Sequence, residues 1–261
     1  MNMKNRCALI TGSVSGLGYA IAENLAEAGC NIVLHGLESE TTARQAQARL
    51  QEKYHVGVLL SRADLNHVPQ IEAMIEEARQ EFGHIDIVIN NAVVRHFAPT
   101  ESLPTRAWDE SIAVNLSAAF HTARLTLPDM RAREWGRIIN ISSVYGSAGA
   151  VNRIGYVTTK TALIGMTRAM ALETASSGIT CNAVCPGTVP TPAILDRIEK
   201  IAAETGKSTE QATHDYLAER QPTGRFVAME SVANLIRLLC SDAGRDMTGS
   251  ILPIDGGWTA A

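Results

Sequence analysis

Short apolar runs recur along the chain, and most are followed by a stretch whose apolar positions repeat with helical spacing. The runs are CALIT (7–11), NIVLHG (31–36), VGVLLSRAD (56–64), IDIVINNA (85–92), RIINISS (137–143) and ITCNAVCPG (179–187), with SILPIDGG (250–257) near the end. Between them lie YAIAENLAEAG, then residues 40–54, then VPQIEAMIEEARQEFG, each with an apolar stripe of period 3.6. A long helical region is predicted from Arg106 to Glu134, bent or interrupted at Pro128, which has no N–H to give a helix. ESVANLIRLLCSD reads as a late helix. Strands that are apolar on both faces and alternate with helices predict a parallel sheet covered on both sides. The expected fold is α/β: a single-domain, Rossmann-like, doubly wound parallel sheet spanning 1–261.

One segment stands outside this alternation. Residues 190–221 (PTPAILDRIEKIAAETGKSTEQATHDYLAERQ) are amphipathic and begin and end near prolines. They predict a helical insert broken near Gly206. Placed after the sixth strand, such an insert covers the carboxyl end of the sheet, where it can act as a lid that excludes water.

Composition narrows the classes of function. The chain has 261 residues, 46% of them hydrophobic, enough for one large core without a linker. A net charge of −4 gives no electrostatic footprint for nucleic acid. No apolar stretch approaches the ~18–20 residues of a membrane span. The basic start MNMKNR leads into a strand, not a signal peptide, so a cytoplasmic protein is expected. Five cysteines include no C-x-x-C pair. Cys181 and Cys185 share a strand face and read as buried thiols. The seven histidines, His96 and His121 near the expected cleft among them, have no zinc-ligand spacing, and no metal is expected.

Two local patterns carry chemistry. After the first strand come Gly12, Ser15, Gly16, Leu17 and Gly18, then a helix. Gly12 suits the positive φ of a tight turn, Gly16 leaves room for a pyrophosphate at the helix N-terminus, and Gly18 allows close packing. The second pattern is Ser143, Tyr156 and Lys160. Tyr156 and Lys160 are one helical turn apart, about 5–6 Å between their bases. An ammonium beside a phenol favours the phenolate, and a phenol tuned in this way serves as a general acid–base. Ser143 can hydrogen-bond the same oxygen centre.

Together, Thr11-Gly12-x3-Gly16-x-Gly18, Asn90-Asn91-Ala92, Asn115, Ser143, Tyr156-x3-Lys160 and Pro186-Gly187 resemble the short-chain dehydrogenase/reductases in order and spacing, over essentially the whole chain. The resemblance implies that Tyr156 is the acid–base, that Ser143 orients the carbonyl or alcohol, and that Lys160 lowers the tyrosine pKa and holds the nicotinamide ribose. It also implies that Asn115 supports a water-linked proton path. Cofactor contacts are implied for Gly12, Ser15, Gly16, Leu17, Gly18, Leu37, Asp64, Leu65, Asn91, Ala92, Pro186, Gly187 and Val189, with Tyr156 and Lys160. A homotetramer is implied as well. Val93 departs from the pattern, standing where the family has a glycine close to the nicotinamide side.

Within the family the chain is similar to bacterial 3-hydroxybutyrate dehydrogenases, through IVLHG, NLSAAFH, GRIINISS, ALETASSGITCNAVCPG and DGGWTA. Where those enzymes hold a carboxylate with Gln, His, Lys and Gln, this chain has Arg95, Tyr145, Arg153 and Arg197, and Thr188 replaces a tryptophan. Arg153 and Arg197 also resemble the sulfonate-binding pair of 2-hydroxypropyl-coenzyme M dehydrogenases. The implied substrate is a small anionic hydroxy acid or keto acid. The alternatives are a 3-oxoacyl-thioester or sugar reductase of the same family, and a nucleotide-binding regulator without turnover. An epimerase would need a larger substrate domain. NAD is expected over NADP, because His35-Gly36-Leu37-Glu38 offers no arginine for a 2′-phosphate and Glu38 repels one. Arg62 is the residue that could reverse this preference.

Overall fold

The computed structural model describes residues 3–260. Seven strands carry the apolar runs: β1 (Cys7–Ile10), β2 (Asn31–His35), β3 (Val58–Ser61), β4 (Ile87–Asn90), β5 (Gly136–Ile141), β6 (Ile179–Pro186) and β7 (Ile251–Ile254). All pair in parallel, in the order β3-β2-β1-β4-β5-β6-β7. The chain winds outward from β1 in one direction, then returns to β4 and winds in the other. That reversal opens a crevice beyond the carboxyl ends of β1 and β4, the usual ligand position in such sheets.

The helices are α1 (Gly16–Glu27), α2 (Glu40–Tyr54), α3 (Val68–Phe82), α4 (Thr105–Ile112), α5 (Ala118–Ala132), α6 (Ile154–Thr174), α7 (Pro192–Thr205), α8 (Thr209–Ala218) and α9 (Met229–Cys240). They form two layers. Ile21, Leu25, Leu50, Ile236 and Leu239 of α1, α2 and α9 close over one face of the sheet. Ile71, Ile75, Ala123, Met130 and Met170 of α3, α5 and α6 close over the other. Leu9 and Ile10 are adjacent in β1, fully buried, and belong to opposite cores, as the period-2 alternation of a strand requires.

The region from Arg106 to Glu134 is interrupted, but not at Pro128. The α-helical pattern breaks at Ala113–Ser117, where a π turn widens the backbone and the Ala118 N–H reaches back to Ala113. Pro128 lies inside α5, where Arg79 of α3 donates to the Leu125 carbonyl (2.5 Å) and the Asp129 carboxylate (2.8 Å) on either side of it. α5 nevertheless continues through Pro128 to Ala132.

A buried polar chain fixes α6 against the sheet. Thr122 of α5 donates to Asn90 (2.8 Å), Asn90 donates to Asn140 (2.8 Å), and Asn140 donates to Thr167 of α6 (2.8 Å). A fully satisfied network of this kind rigidifies what it joins.

Residues 190–221 form the expected helical insert. Gly206, at φ +68°, ends α7, and Ser208 caps α8 with its hydroxyl. Ile198, Ala202, Ala212 and Tyr216 make a small separate core between the two helices. The insert's far end returns to its start. Gln221, buried, accepts from the Thr188 N–H and donates to the Arg225 carbonyl, and the Val227 N–H donates to the Thr188 carbonyl (2.9 Å).

Candidate active site

The crevice is a cleft of about 410 Å³ running from the glycine turn to the start of the insert. Its walls include Gly12, Ser15, Gly16, Leu17 and Gly18, then Asn91, Ala92, Val93 and Arg95 beyond β4. Ser143, Tyr145, Arg153, Tyr156 and Lys160 form the middle, and Pro186, Gly187 and Val189 the far side.

The turn after β1 is built for a close ligand. Gly12 and Gly16 have φ of +62° and +58°, which suits glycine. A Cβ on Gly18 would lie 2.1 Å from the Gly12 carbonyl oxygen and 2.6 Å from the Asn91 amide, so α1 packs against the turn only because residue 18 has no side chain. Asn91 bridges the two strand ends, donating to the carbonyls of Thr11 (3.0 Å) and Gly12 (2.8 Å). The first bond made by α1 is Tyr19 N–H to the Ser15 carbonyl. No side-chain cap bond is made to the start of α1, and the Ser15 hydroxyl donates to Glu38 (2.8 Å). A helix start with open donors and positive dipole fits a pyrophosphate.

Buried His35, at the end of β2, holds this turn from below. Its Nδ1 accepts from the Gly12 N–H (3.0 Å), which places the proton on Nε2, donating to the Ala63 carbonyl (2.8 Å). Burial depresses the imidazole pKa, against the opposing pull of the Ala63 carbonyl and nearby carboxylates. This role of His35 is not evident from the sequence, where it reads as one of seven scattered histidines.

Glu38 reaches further than its position suggests. The chain lacks an acidic residue at the last position of β2, but the Glu38 carboxylate folds back beside Gly36 and lines the cleft. It lies about twenty residues beyond the glycine turn, where an acidic group suits a ribose 2′-hydroxyl. Arg62 turns away toward Glu40 (3.6 Å).

Ser143, Tyr156 and Lys160 converge. Lys160 is buried, and its ammonium donates to the Ile141 carbonyl (2.6 Å) while standing 5.7 Å from the Tyr156 ring centre. Arg95 approaches the same ring from the segment after β4, its guanidinium 5.4 Å from the centre. Burial alone would raise the tyrosine pKa. Lys160 and Arg95, with Ser143 assisting, outweigh it and bring the phenol below its ordinary value. Burial and Arg95 lower the Lys160 pKa, and Tyr156 opposes them. Asn115 is buried in the π turn. It accepts from the Val94 N–H (2.8 Å), donates to the Val94 carbonyl (3.0 Å) and reaches Thr159 (3.4 Å). Its side chain thus braces the segment after β4 that delivers Arg95 and does not line the cleft.

Arg153 and Arg197 flank the Phe97 ring at 4.9 and 5.3 Å, and Arg153 also lies 5.2 Å from the Tyr145 ring. Arg153 faces the cleft. Arg197 opens into an adjoining hollow that Arg153, Tyr145, Arg220 and Trp258 share. Neither Arg153 nor Arg197 has an ion-pair partner among the described residues. Tyr145 stacks edge-on against Tyr156 (6.3 Å) and Trp258 (5.4 Å). Arg220, Tyr216 and Trp258 are wall residues that no local motif marked. The DGGWTA ending was the only signal for Trp258.

Three implied cofactor positions lie off the cleft wall. Leu37 is exposed, Leu65 is buried in the α3–α5–α6 core, and the Asp64 carboxylate accepts from Asn66 and pairs with His67. His96 pairs with Glu110 (2.9 Å) and His121 accepts from Arg124 (2.9 Å), so both histidines are used structurally. All five cysteines are free and buried, and burial pushes the Cys30 and Cys181 thiols up to about 12. No group of metal-ligating side chains occurs among the described residues, and no helix there is long and apolar enough to cross a membrane.

The doubly wound sheet, the glycine turn and the Ser–Tyr–Lys convergence fit one class. Residues 6–201 match the short chain dehydrogenase family, and the chain belongs to it. It is 40% identical over 258 residues to the D-beta-hydroxybutyrate dehydrogenase of Cupriavidus necator, covering 99% of each chain. It is also 40% identical over 255 residues to the enzyme of that name from Rhizobium meliloti, covering 98% of this chain and 99% of the relative. Among solved structures, L-sorbose reductase from Gluconobacter frateurii, complexed with NADPH and L-sorbose, superposes with a TM-score of 0.96 at 30% identity. That match covers 100% of this chain and 99% of the other.

Proposed function

We propose that the protein is an NAD-dependent dehydrogenase of secondary alcohols that bear an anionic group, with a short 3-hydroxy acid such as 3-hydroxybutyrate as the best candidate. The observation that carries the substrate class is the pair of guanidiniums, Arg153 and Arg197, which flank Phe97 without acidic partners, Arg153 on the wall of the Tyr156 cleft and Arg197 in the hollow adjoining it. Guanidinium forks bind carboxylate or sulfonate bidentately. A neutral sugar, the ligand in the L-sorbose reductase structure, gives two unpaired cations nothing to neutralise. The names of the two 40%-identical relatives support the same reading.

The uncapped start of α1, the absence of a side chain at Gly18 and the Glu38 carboxylate suit a dinucleotide with a free 2′-hydroxyl. When bound, the nicotinamide supplies a two-electron acceptor for the hydride. The remaining work falls to the chain. Tyr156, held toward its phenolate form, takes the alcohol's proton as the adjacent carbon becomes a carbonyl, and Ser143 holds that oxygen in line. In reduction the same phenol returns the proton. Lys160 keeps the phenolate favoured. Asn115 acts indirectly, by fixing the Val94 backbone.

The α7–α8 insert serves as the lid in this reading, because Arg197 lies on α7 and an anion shared with Arg153 draws the insert over the reacting carbon. We further propose a homotetramer, working in the cytoplasm. Activity should be measured by absorbance of the reduced nicotinamide across 3-hydroxy acids, a hydroxy sulfonate, a polyol and a neutral secondary alcohol, each with NAD and NADP. Turnover of an anionic hydroxy compound with NAD, exceeding the neutral compounds, is expected. Preference for the polyol, or for NADP, would overturn it.

A further inference from the structure

Two cations stand near the Tyr156 ring, Lys160 at 5.7 Å and Arg95 at 5.4 Å from its centre. Lys160 reaches it from one turn along α6 and is buried. Arg95 reaches it from the segment after β4, lines the same cleft, and has no acidic partner among the described residues. Ser143, which also favours the phenolate, is neutral, and the Tyr145 ring stands edge-on to that of Tyr156. Both cations pull toward the phenolate, against the effect of burial. With a neutral phenol, Lys160 and Arg95 only repel one another. With a phenolate near both, each gains an attraction, so the second cation adds to the pull toward ionisation. Guanidinium stays charged at any working pH, so its attraction to the phenol oxygen strengthens on ionisation.

We propose that Arg95 is a positioning residue for proton transfer, the second cation that holds Tyr156 ready as a base, and not only a contact for the substrate's anion. This rests on Tyr156 being the acid–base of the reaction. Arg95 is solvent-accessible, so screening makes its share smaller than that of Lys160.

The test is Arg95→Met and Arg95→Lys, assayed in alcohol oxidation on a neutral secondary alcohol, which has no anion for Arg95 to bind. For Arg95→Met, kcat/KM on the acid side of the pH profile falls about five- to tenfold while the alkaline plateau is kept. Arg95→Lys recovers most of that loss. Independently of any substrate, the tyrosinate absorbance that wild type shows and Tyr156→Phe lacks moves to higher pH in Arg95→Met. An unmoved tyrosinate titration overturns the proposal. So does a loss equal at every pH, which marks a purely structural role. A shifted titration with no turnover on any alcohol leaves Arg95 as inferred and removes the dehydrogenase reading instead.

Discussion

The Ser15 hydroxyl donates to the Glu38 carboxylate at 2.8 Å, tying the residue before α1 to the chain beyond β2. This bond sets a negative charge beside the place where an adenosine ribose would lie. A 2′-phosphate there meets a carboxylate, while a 2′-hydroxyl meets an acceptor. NAD is therefore expected to show the lower Michaelis constant and higher turnover. Glu38→Ala should narrow the preference by about tenfold, the worth of one hydrogen bond to a charged group. Steady-state kinetics with both dinucleotides check it, and a wild-type preference for NADP counts against the assignment.

Tyr156→Phe removes only the hydroxyl that exchanges the proton. Turnover should fall by about 10²–10⁴-fold, with dinucleotide binding nearly unchanged by fluorescence titration. Lys160→Ala should damage both, because the ammonium supports the phenolate and, by its bond to the Ile141 carbonyl, sits at the cleft floor. A Tyr156→Phe variant that retained about a tenth of the wild-type rate would remove the phenol from the chemistry.

Arg197→Ala should lower kcat/KM for the anionic hydroxy acid by about 10–150-fold, the equivalent of about 1.5–3 kcal/mol for a hydrogen bond to a charged group. A neutral secondary alcohol should be spared. Equal losses on both would assign Arg197 to the packing of the insert against Phe97, and no loss on either would return it to the solvent. Arg153→Ala should behave similarly but with a larger effect on both, since it also lies against Tyr145.

His35 makes stability depend on pH. Burial lowers its pKa in the folded protein, so the unfolded chain binds a proton at a higher pH than the native one. Its contribution is complete above the unfolded value, about 6.5, and is lost as pH falls through the folded value. Protonation of Nδ1 also removes the acceptor for the Gly12 N–H. The urea midpoint of wild type should fall across that acidic interval, and the Michaelis constant for the dinucleotide should rise with it. His35→Gln should flatten this part of the profile. An identical slope in the variant would place the titration elsewhere.

The sequence showed most of this architecture because its signals are local. Apolar runs mark β1 to β6, the glycine spacing marks the turn before α1, and Gly206 marks the break between α7 and α8. Tyr156, Lys160 and Ser143 were legible for the same reason, lying close together along the chain. What was hidden depends on side-chain reach or on distant packing. Glu38 sits off the expected strand end and enters the cleft only by folding back over Gly36. Trp258 and Arg220 meet the site through the sheet's last strand and the insert's end. The break in the long helix came from a π turn around Asn115, where nothing in the composition announces it, while the visible suspect, Pro128, lies inside α5.

The Gln221 clasp separates two duties of the chain. Because Thr188 and Gln221 meet, the insert leaves and rejoins the body at one point, and its length and sequence can change with little strain on the sheet. Loop closure costs only about 0.6 kcal/mol for each doubling of length once the ends are fixed. On the proposed reading, the insert brings Arg197 to the substrate, while Arg95, Tyr145, Arg153 and the hydride-transfer residues belong to the frame that it joins through one buried glutamine. Exchanging residues 189–220 for the matching segment of a relative, with Thr188 and Gln221 kept, should shift substrate preference while leaving the fold and the dinucleotide preference in place.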